Sequence, residues 1–283
     1  MMTSFLVKDR TKETYLQKIS SEPQGTQQNR IVTINNFERF VSELHEEKTI
    51  ESVIEELKIL KKTEEDKYFD ALYDLLQEWI NWNTEQGIES STQRTFFSYL
   101  RNYLYYRGIK TDQQDIKENL KFGKKIDVER HPLSQEEYRM IIDAIRNSKR
   151  KALFLLLGSS GMRIGEAMQL KKKDLDVSQE RIKVNIPAEI TKTRKGRSTY
   201  MSRETEKMLR PFLDDYADDD FIFDFGSTTD KSMRSARESN NLRTVLKRLN
   251  LDDRYPSNNH GKITTHSFRA YFFTLATRRH GEN

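Results

Sequence analysis

Cysteine is absent from the 283 residues, which excludes disulfides and thiolate metal sites and permits a reducing compartment. Long apolar runs are absent as well. The longest strongly apolar stretch, Ala152 to Leu157, is far too short to span a bilayer, and Met1 to Arg10 lacks the apolar core of a signal peptide. No Gly-rich segment resembles a nucleotide-binding phosphate loop, and no internal repeat is visible. These absences predict a cytoplasmic protein without a membrane partner. What the chain does have is charge: 33% of residues are charged against 35% hydrophobic, with a formal net charge of +5 and a pI near 9.1. Mild basicity with both signs interspersed suits a phosphate-bearing partner, although many solvated surfaces share it.

The apolar residues are periodic, which makes a core feasible. Residues 1–33 are polar and weakly patterned and are expected to form a flexible tail with at most a short helix. From Asn35 helical spacing takes over. Phe37, Phe40, Val41 and Leu44 share a face, as do Val53, Ile54, Leu57 and Leu60. A longer stripe runs through Phe69, Leu72, Leu76, Trp79 and Ile80. Another carries Phe96, Tyr99, Leu100, Tyr103 and Leu104, with Ser90 or Ser91 as its cap and Gly108 as its stop. Residues 34–120 therefore read as a helical domain, 121–132 as a linker, and 133–283 as a second domain. In the second domain Ser134 and Glu137 form a capping box. A buried helix covers 152–157, Gly158–Gly161 forms a tight turn, and Arg163 opens a further helix. Ile182, Val184 and Ile186 alternate as a strand, with two short strands at 189–193 and 198–201. Helical patterns resume near Glu204 and Asn241. Asp214 to Asp220 reads as a solvated loop rather than a metal site. The fold class is mainly α with a small antiparallel β-sheet (α+β).

Three segments carry candidate chemistry. In Gly161-Met162-Arg163-Ile164-Gly165-Glu166, the arginine sits at a helix start, where unpaired backbone N–H groups favour an anion. Its fork can grip two phosphate oxygens, and Glu166, one turn on, can orient it. In Thr264-Thr265-His266-Ser267-Phe268-Arg269, Thr265 is the candidate cap, and His266 and Arg269 share a face. Between them lies the basic turn Ile190-Thr191-Lys192-Thr193-Arg194-Lys195-Gly196-Arg197. Taken singly, each has a bland reading: a helical salt pair, a basic helix face, a solvated turn that touches phosphates without chemistry.

Taken in order, the three resemble the Arg box, hairpin lysine and His-x-x-Arg box of the tyrosine recombinases, the phage integrase family. The resemblance covers residues 35–283. It implies a helical core-binding domain followed by an integrase-type catalytic domain, and site-specific recombination of double-stranded DNA at an attachment site through a 3′-phosphotyrosyl intermediate. Arg163 and Arg269 would stabilise the pentavalent state, and His266 would move a proton or hold the phosphate. Glu166 would support Arg163, and Lys192, with Lys195 as the alternative, would protonate the leaving 5′ oxygen. Arg94, Arg101, Arg107, Lys171, Lys172, Lys173, Arg194, Lys195 and Arg197 are expected to bind DNA. No metal or cofactor is implied, and the complete protein would act as a nucleoid-associated homo-oligomer, a tetramer on DNA. One departure stands out. The family places a further His or Trp and then the nucleophilic tyrosine after the second arginine, whereas fourteen residues follow Arg269 here. His280 comes too early, and Tyr271 projects about 200° around the helix from Arg269. The expectation is a chain without its nucleophile, which binds DNA and does not cleave it. A DNA-binding regulator, a helical protein-interaction module and a type IB topoisomerase remain alternatives; salt-sensitive duplex binding would exclude the interaction module.

Overall fold

The computed structural model describes residues 9–45, 48–124, 131–226, 231–256 and 258–280, without the side chains of 231, 232, 279 and 280. The chain divides into two units, Met1–Asp127 and Val128–Asn283.

The first unit is helical: α1 (Lys12–Ile19), α2 (Gln24–Leu44), α3 (Ile50–Thr63), α4 (Glu65–Glu85), α5 (Ser90–Tyr106) and α6 (Gln113–Asn119). Its core is aromatic. Phe37, Phe40, Trp79 and Tyr103 are fully buried, and the Trp79 indole donates to Asn36 Oδ1 at 2.8 Å, which satisfies the one polar atom of that ring. Gly87 (φ 72°) and Gly108 (φ 95°) follow α4 and α5 in the left-handed conformation that ends a helix. The expected tail is ordered from Asp9 onward. Thr11 caps α1, Tyr15 is buried in the core, and α2 begins eleven residues earlier than its apolar stripe suggests. A short helix contributing two buried residues, Tyr15 and Ile19, is too brief to show periodicity. Ser90 does not cap α5; its hydroxyl donates to the Gly123 carbonyl at 2.6 Å. Phe122 meets Phe97 edge-on, so residues 121–124 belong to the helical unit rather than to a linker. The rest of the expected linker, 125–130, lies outside the described residues.

The second unit contains α7 (Gln135–Ala144), α8 (Ser148–Ser160), α9 (Ile164–Ala167), β1 (Leu175–Asp176), β2 (Lys183–Ile186), β3 (Arg197–Tyr200), α10 (Arg203–Leu213), α11 (Lys231–Arg248) and α12 (Thr265–His280). The strands form one antiparallel sheet in the order β1-β2-β3, with Val184 opposite Thr199 and Ile186 opposite Arg197. Helix α8 is the centre. It packs on both α10 and α12, so Ala152 to Leu157 are buried all round and show no amphipathic stripe. The Ser134–Glu137 capping box opens α7 as expected. Two expectations fail locally. Residues 158–160 continue α8, and only Gly161 turns (φ 64°). Gly158 is glycine for another reason: a Cβ there would lie 2.5 Å from the Tyr138 ring. The strand expected at 189–193 is a 3-10 turn over Ala188–Ile190 followed by a loop, because Pro187 fixes its own φ and supplies no N–H for a ladder.

Candidate active site

The site is built around a buried carboxylate. Glu166, on α9, is 2% exposed and accepts four hydrogen bonds. The Arg163 backbone N–H reaches Oε2 and Arg163 Nη1 reaches Oε1, both at 3.0 Å. Arg197, at the start of β3, brings Nη2 to Oε2 at 2.5 Å and Nη1 to Oε1 at 3.3 Å. Burial pushes the Glu166 carboxyl up, but the hydrogen bonds from Arg197 and Arg163 more than offset this and hold it below its ordinary value. Helix α9 is a single turn, and the N–H of its N-cap residue Arg163 is taken by the Glu166 carboxylate.

Arg269 enters from α12. Its Nη1 donates to the carbonyl of Gly161, the residue that caps α8 two positions before Arg163. Gly161 is required twice, by its positive φ and because a Cβ would lie 2.4 Å from the Phe272 ring. The close approach of α12 to that turn thus depends on a missing side chain. Burial and the charge of Arg163 hold the Arg269 guanidinium below its ordinary pKa, with Arg197 adding to the repulsion. Three guanidiniums around one carboxylate leave the pocket net cationic.

The structure brings Arg163, Glu166 and Arg269 together, and His266 lies one turn before Arg269, exposed on α12. The α12 cap is Thr264, whose hydroxyl accepts the His266 N–H at 3.2 Å, not Thr265. Lys192 and Lys195 are exposed on the 191–196 loop, which Thr191 closes by accepting the Lys195 N–H at 3.0 Å. Among the described residues no hydrogen bond or ion pair joins Lys192, Lys195 or the His266 side chain to the arginines. Arg197, expected only as a DNA contact, is the residue whose place in this cluster sequence reasoning missed. Its partner lies 31 positions away, and no local spacing signals it.

The model of the phage integrase family matches residues 131–279, more than half of the chain. The chain belongs to the phage integrase family. Among curated proteins it is 28% identical over 138 residues to a tyrosine recombinase XerC-like protein of Caldanaerobacter subterraneus, covering 45% of this chain and 32% of that one. It is 25% identical over 201 residues to a probable integrase/recombinase of Methanocaldococcus jannaschii, covering 66% and 58%. The chain therefore spans less than two thirds of the length of either relative. The fold is that of lambda integrase bound to DNA (TM-score 0.62, 15% identity, 95% of this chain and 85% of that one). It is also that of the XerH recombinase in a post-cleavage complex with difH (TM-score 0.60, 17% identity, 95% and 74%).

Within this integrase-family chain the residues expected to touch DNA divide sharply. Arg94, Arg101, Arg194 and Lys195 are exposed, with the Arg94 guanidinium resting over the Phe122 ring. Arg107 is not a surface residue: it is 3% exposed and grips both oxygens of Glu51 and the Tyr103 hydroxyl. Lys171 and Lys173 both pair with Asp219, at 2.9 and 2.8 Å, and Lys172 donates to the Tyr216 carbonyl at 2.6 Å. The acidic 214–220 loop is thus held against the very lysines expected to meet phosphate. No helix among the described residues is long and apolar enough to cross a membrane.

Proposed function

We propose that this protein performs site-specific DNA recombination, with Arg163 and Arg269 holding the scissile phosphate. The observation that carries the reading is the convergence of these two arginines, from α9 and α12, beside a buried Glu166 that consumes only one guanidinium nitrogen of Arg163. The remaining donors suit a phosphate whose equatorial oxygens gain charge as it becomes pentavalent. In the step, a tyrosine oxygen bonds to phosphorus as the P–O5′ bond breaks. The phenolic proton passes to His266 or to solvent, and Lys192 or Lys195 delivers a proton to the leaving 5′ oxygen. The covalent phosphodiester conserves the energy for religation. Assembly as a tetramer is supported by the shared fold with a lambda integrase tetramer bound to a Holliday junction.

The nucleophile is none of the five tyrosines of the second unit. Tyr271 is buried and stacked on Tyr138, ring centres 4.6 Å apart. The Tyr216 hydroxyl donates to the Ile222 carbonyl at 3.1 Å, and that of Tyr255 accepts the His131 N–H. Tyr200 lies three residues from Arg197 on β3 and so faces the other side of the sheet. On a nicked suicide duplex resolved on a denaturing gel, this 283-residue chain is expected to give no shifted covalent band. A band would overturn the assignment, and mapping it would name the true nucleophile. In a protein that carries the nucleophile, Arg163→Ala and Arg269→Ala are expected to slow cleavage by roughly a hundred- to a thousandfold while duplex affinity stays close to wild type, since each removes one transition-state contact among many ground-state ones. Normal cleavage in either variant would show that the wrong arginines have been chosen.

A further inference from the structure

We propose that Arg197 is a positioning residue for strand cleavage: by saturating Glu166 from the hairpin side, it leaves the Arg163 fork to the phosphate and fixes the lysine-bearing loop against α9. The inference rests on the recombinase reading and adds a residue to its machinery. Arg197 is the more heavily engaged of the two partners. It places two nitrogens on the carboxylate, the nearer at 2.5 Å, whereas the Arg163 side chain places one at 3.0 Å. A carboxylate this buried demands full satisfaction. Without Arg197 its open lone pairs would draw the Arg163 guanidinium into a two-nitrogen grip, and those are the donors a phosphate needs.

The second part follows from the backbone. Arg197 is the first residue of β3, and the loop carrying Lys192 and Lys195 ends immediately before it. Gly196 holds the chain so close to β2 that a Cβ there would lie 3.3 Å from the Ile186 carbonyl oxygen. At its other end the loop is closed by the Thr191 hydroxyl, which also donates to the Ala188 carbonyl at 3.0 Å. The only side-chain tie from β3 to the arginine cluster among the described residues is Arg197 to Glu166. One side chain therefore sets the register between the residue that would stabilise the phosphate and the lysines that would protonate the leaving group.

The test uses Arg197→Met and Arg197→Lys, with and without Glu166→Gln, in a protein that carries the nucleophile. Single-turnover cleavage of the suicide duplex, duplex Kd and the Glu166 carboxyl shift by carbon NMR are measured together. Arg197→Met is expected to slow cleavage roughly tenfold or more with Kd within about threefold, because one charge-assisted pair is lost and no DNA contact is. Arg197→Lys, which keeps the charge without the fork, is expected to fall between. The Glu166 titration should move to higher pH in Arg197→Met. Adding Glu166→Gln should then recover part of the lost rate, because the amide no longer competes for Arg163. A merely structural role would give additive losses. A parallel loss of Kd and cleavage, with one contact fewer in the salt dependence, would make Arg197 a direct phosphate ligand and overturn the proposal; so would unchanged cleavage. If Arg197→Met does not fold, Arg197→Lys carries the same comparison. Failure of the functional reading is separate: otherwise unsubstituted protein carrying the nucleophilic tyrosine would not cleave at all, while the carboxyl titration would still report on Arg197.

Discussion

Arg107 and Arg163 carry the same guanidinium, and their surroundings leave it in opposite states. Arg107 ends α5 with its side chain inside the helical unit, forked onto Glu51 and donating to Tyr103 at 2.7 Å. Burial pushes the Tyr103 hydroxyl up to about 12, so it stays protonated and neutral beside the arginine. Arg163 is only partly buried and keeps donors in reserve. Arg107→Met should therefore lower unfolding stability by about 1–3 kcal/mol, the range for losing buried hydrogen bonds to a charged group when the remaining partner, a half-exposed Glu51, can be rehydrated. Urea unfolding would measure the loss, and duplex affinity well below the melting temperature should be unchanged. A variant of normal stability that bound DNA tenfold more weakly would return Arg107 to the interface.

At the scale of elements, the turn from α8 into α9 is decisive, because Gly161 sets both the stop of one helix and the seat of another. Gly161→Ala combines a left-handed backbone with a clash against Phe272 and should cost about 2–4 kcal/mol. It should also displace Arg269 from the Gly161 carbonyl, so in a protein that carries the nucleophile cleavage falls further than stability alone explains. Gly165→Ala is the control: its Cβ would meet Ser235 Oγ at an ordinary 3.8 Å, and it should be tolerated or slightly stabilising in thermal melts. If both substitutions behaved alike, crowding at Gly161 would not be what places α12. The same elements show what a sequence reveals. Helices α2 to α5 and α7 were legible because each buries an apolar stripe in the core and leaves other positions exposed, and periodicity reports that directly. The boxes around Arg163 and Arg269 were legible through their order along the chain. Helix α1 was too short to show a period, and two-residue β1 too short to show alternation. The strand read at 189–193 overlooked what Pro187 does to a ladder. Glu51–Arg107 and Glu166–Arg197 were hidden for a shared reason: each pair joins residues far apart in sequence, so only the folded backbone reveals that they meet.

For the whole molecule, the balance of 49 basic against 44 acidic residues overstates the charge that DNA can use. Lys171 and Lys173 illustrate this. Their hydrogen bonds, that of Lys173 first, pull Asp219 down to about 2, so it remains anionic at any working pH. Exposed pairs of this kind are individually weak. However, a phosphate that displaced Asp219 would still face Asp218 and Asp220 on the same loop. Of the cations assigned here to DNA or to the phosphate pocket, those that keep free donors are Arg94 and Arg101 in the helical unit, and Arg163, Lys192, Arg194, Lys195 and Arg269 in the second. With each neutralised phosphate contributing about −0.9 to the log–log salt dependence of binding, these seven would contribute about −6 to the slope. Fluorescence anisotropy with a labelled duplex from 50 to 300 mM salt would measure it. Replacing Lys192 and Lys195 together by alanine should flatten the slope by about two, whereas Lys171→Ala with Lys173→Ala should change it by less than about half a unit. The reverse ordering would mean that the acidic loop swings away on binding and that the hairpin loop stays clear of the backbone. It would also move the phosphate track across this domain from the hairpin to the 171–173 turn.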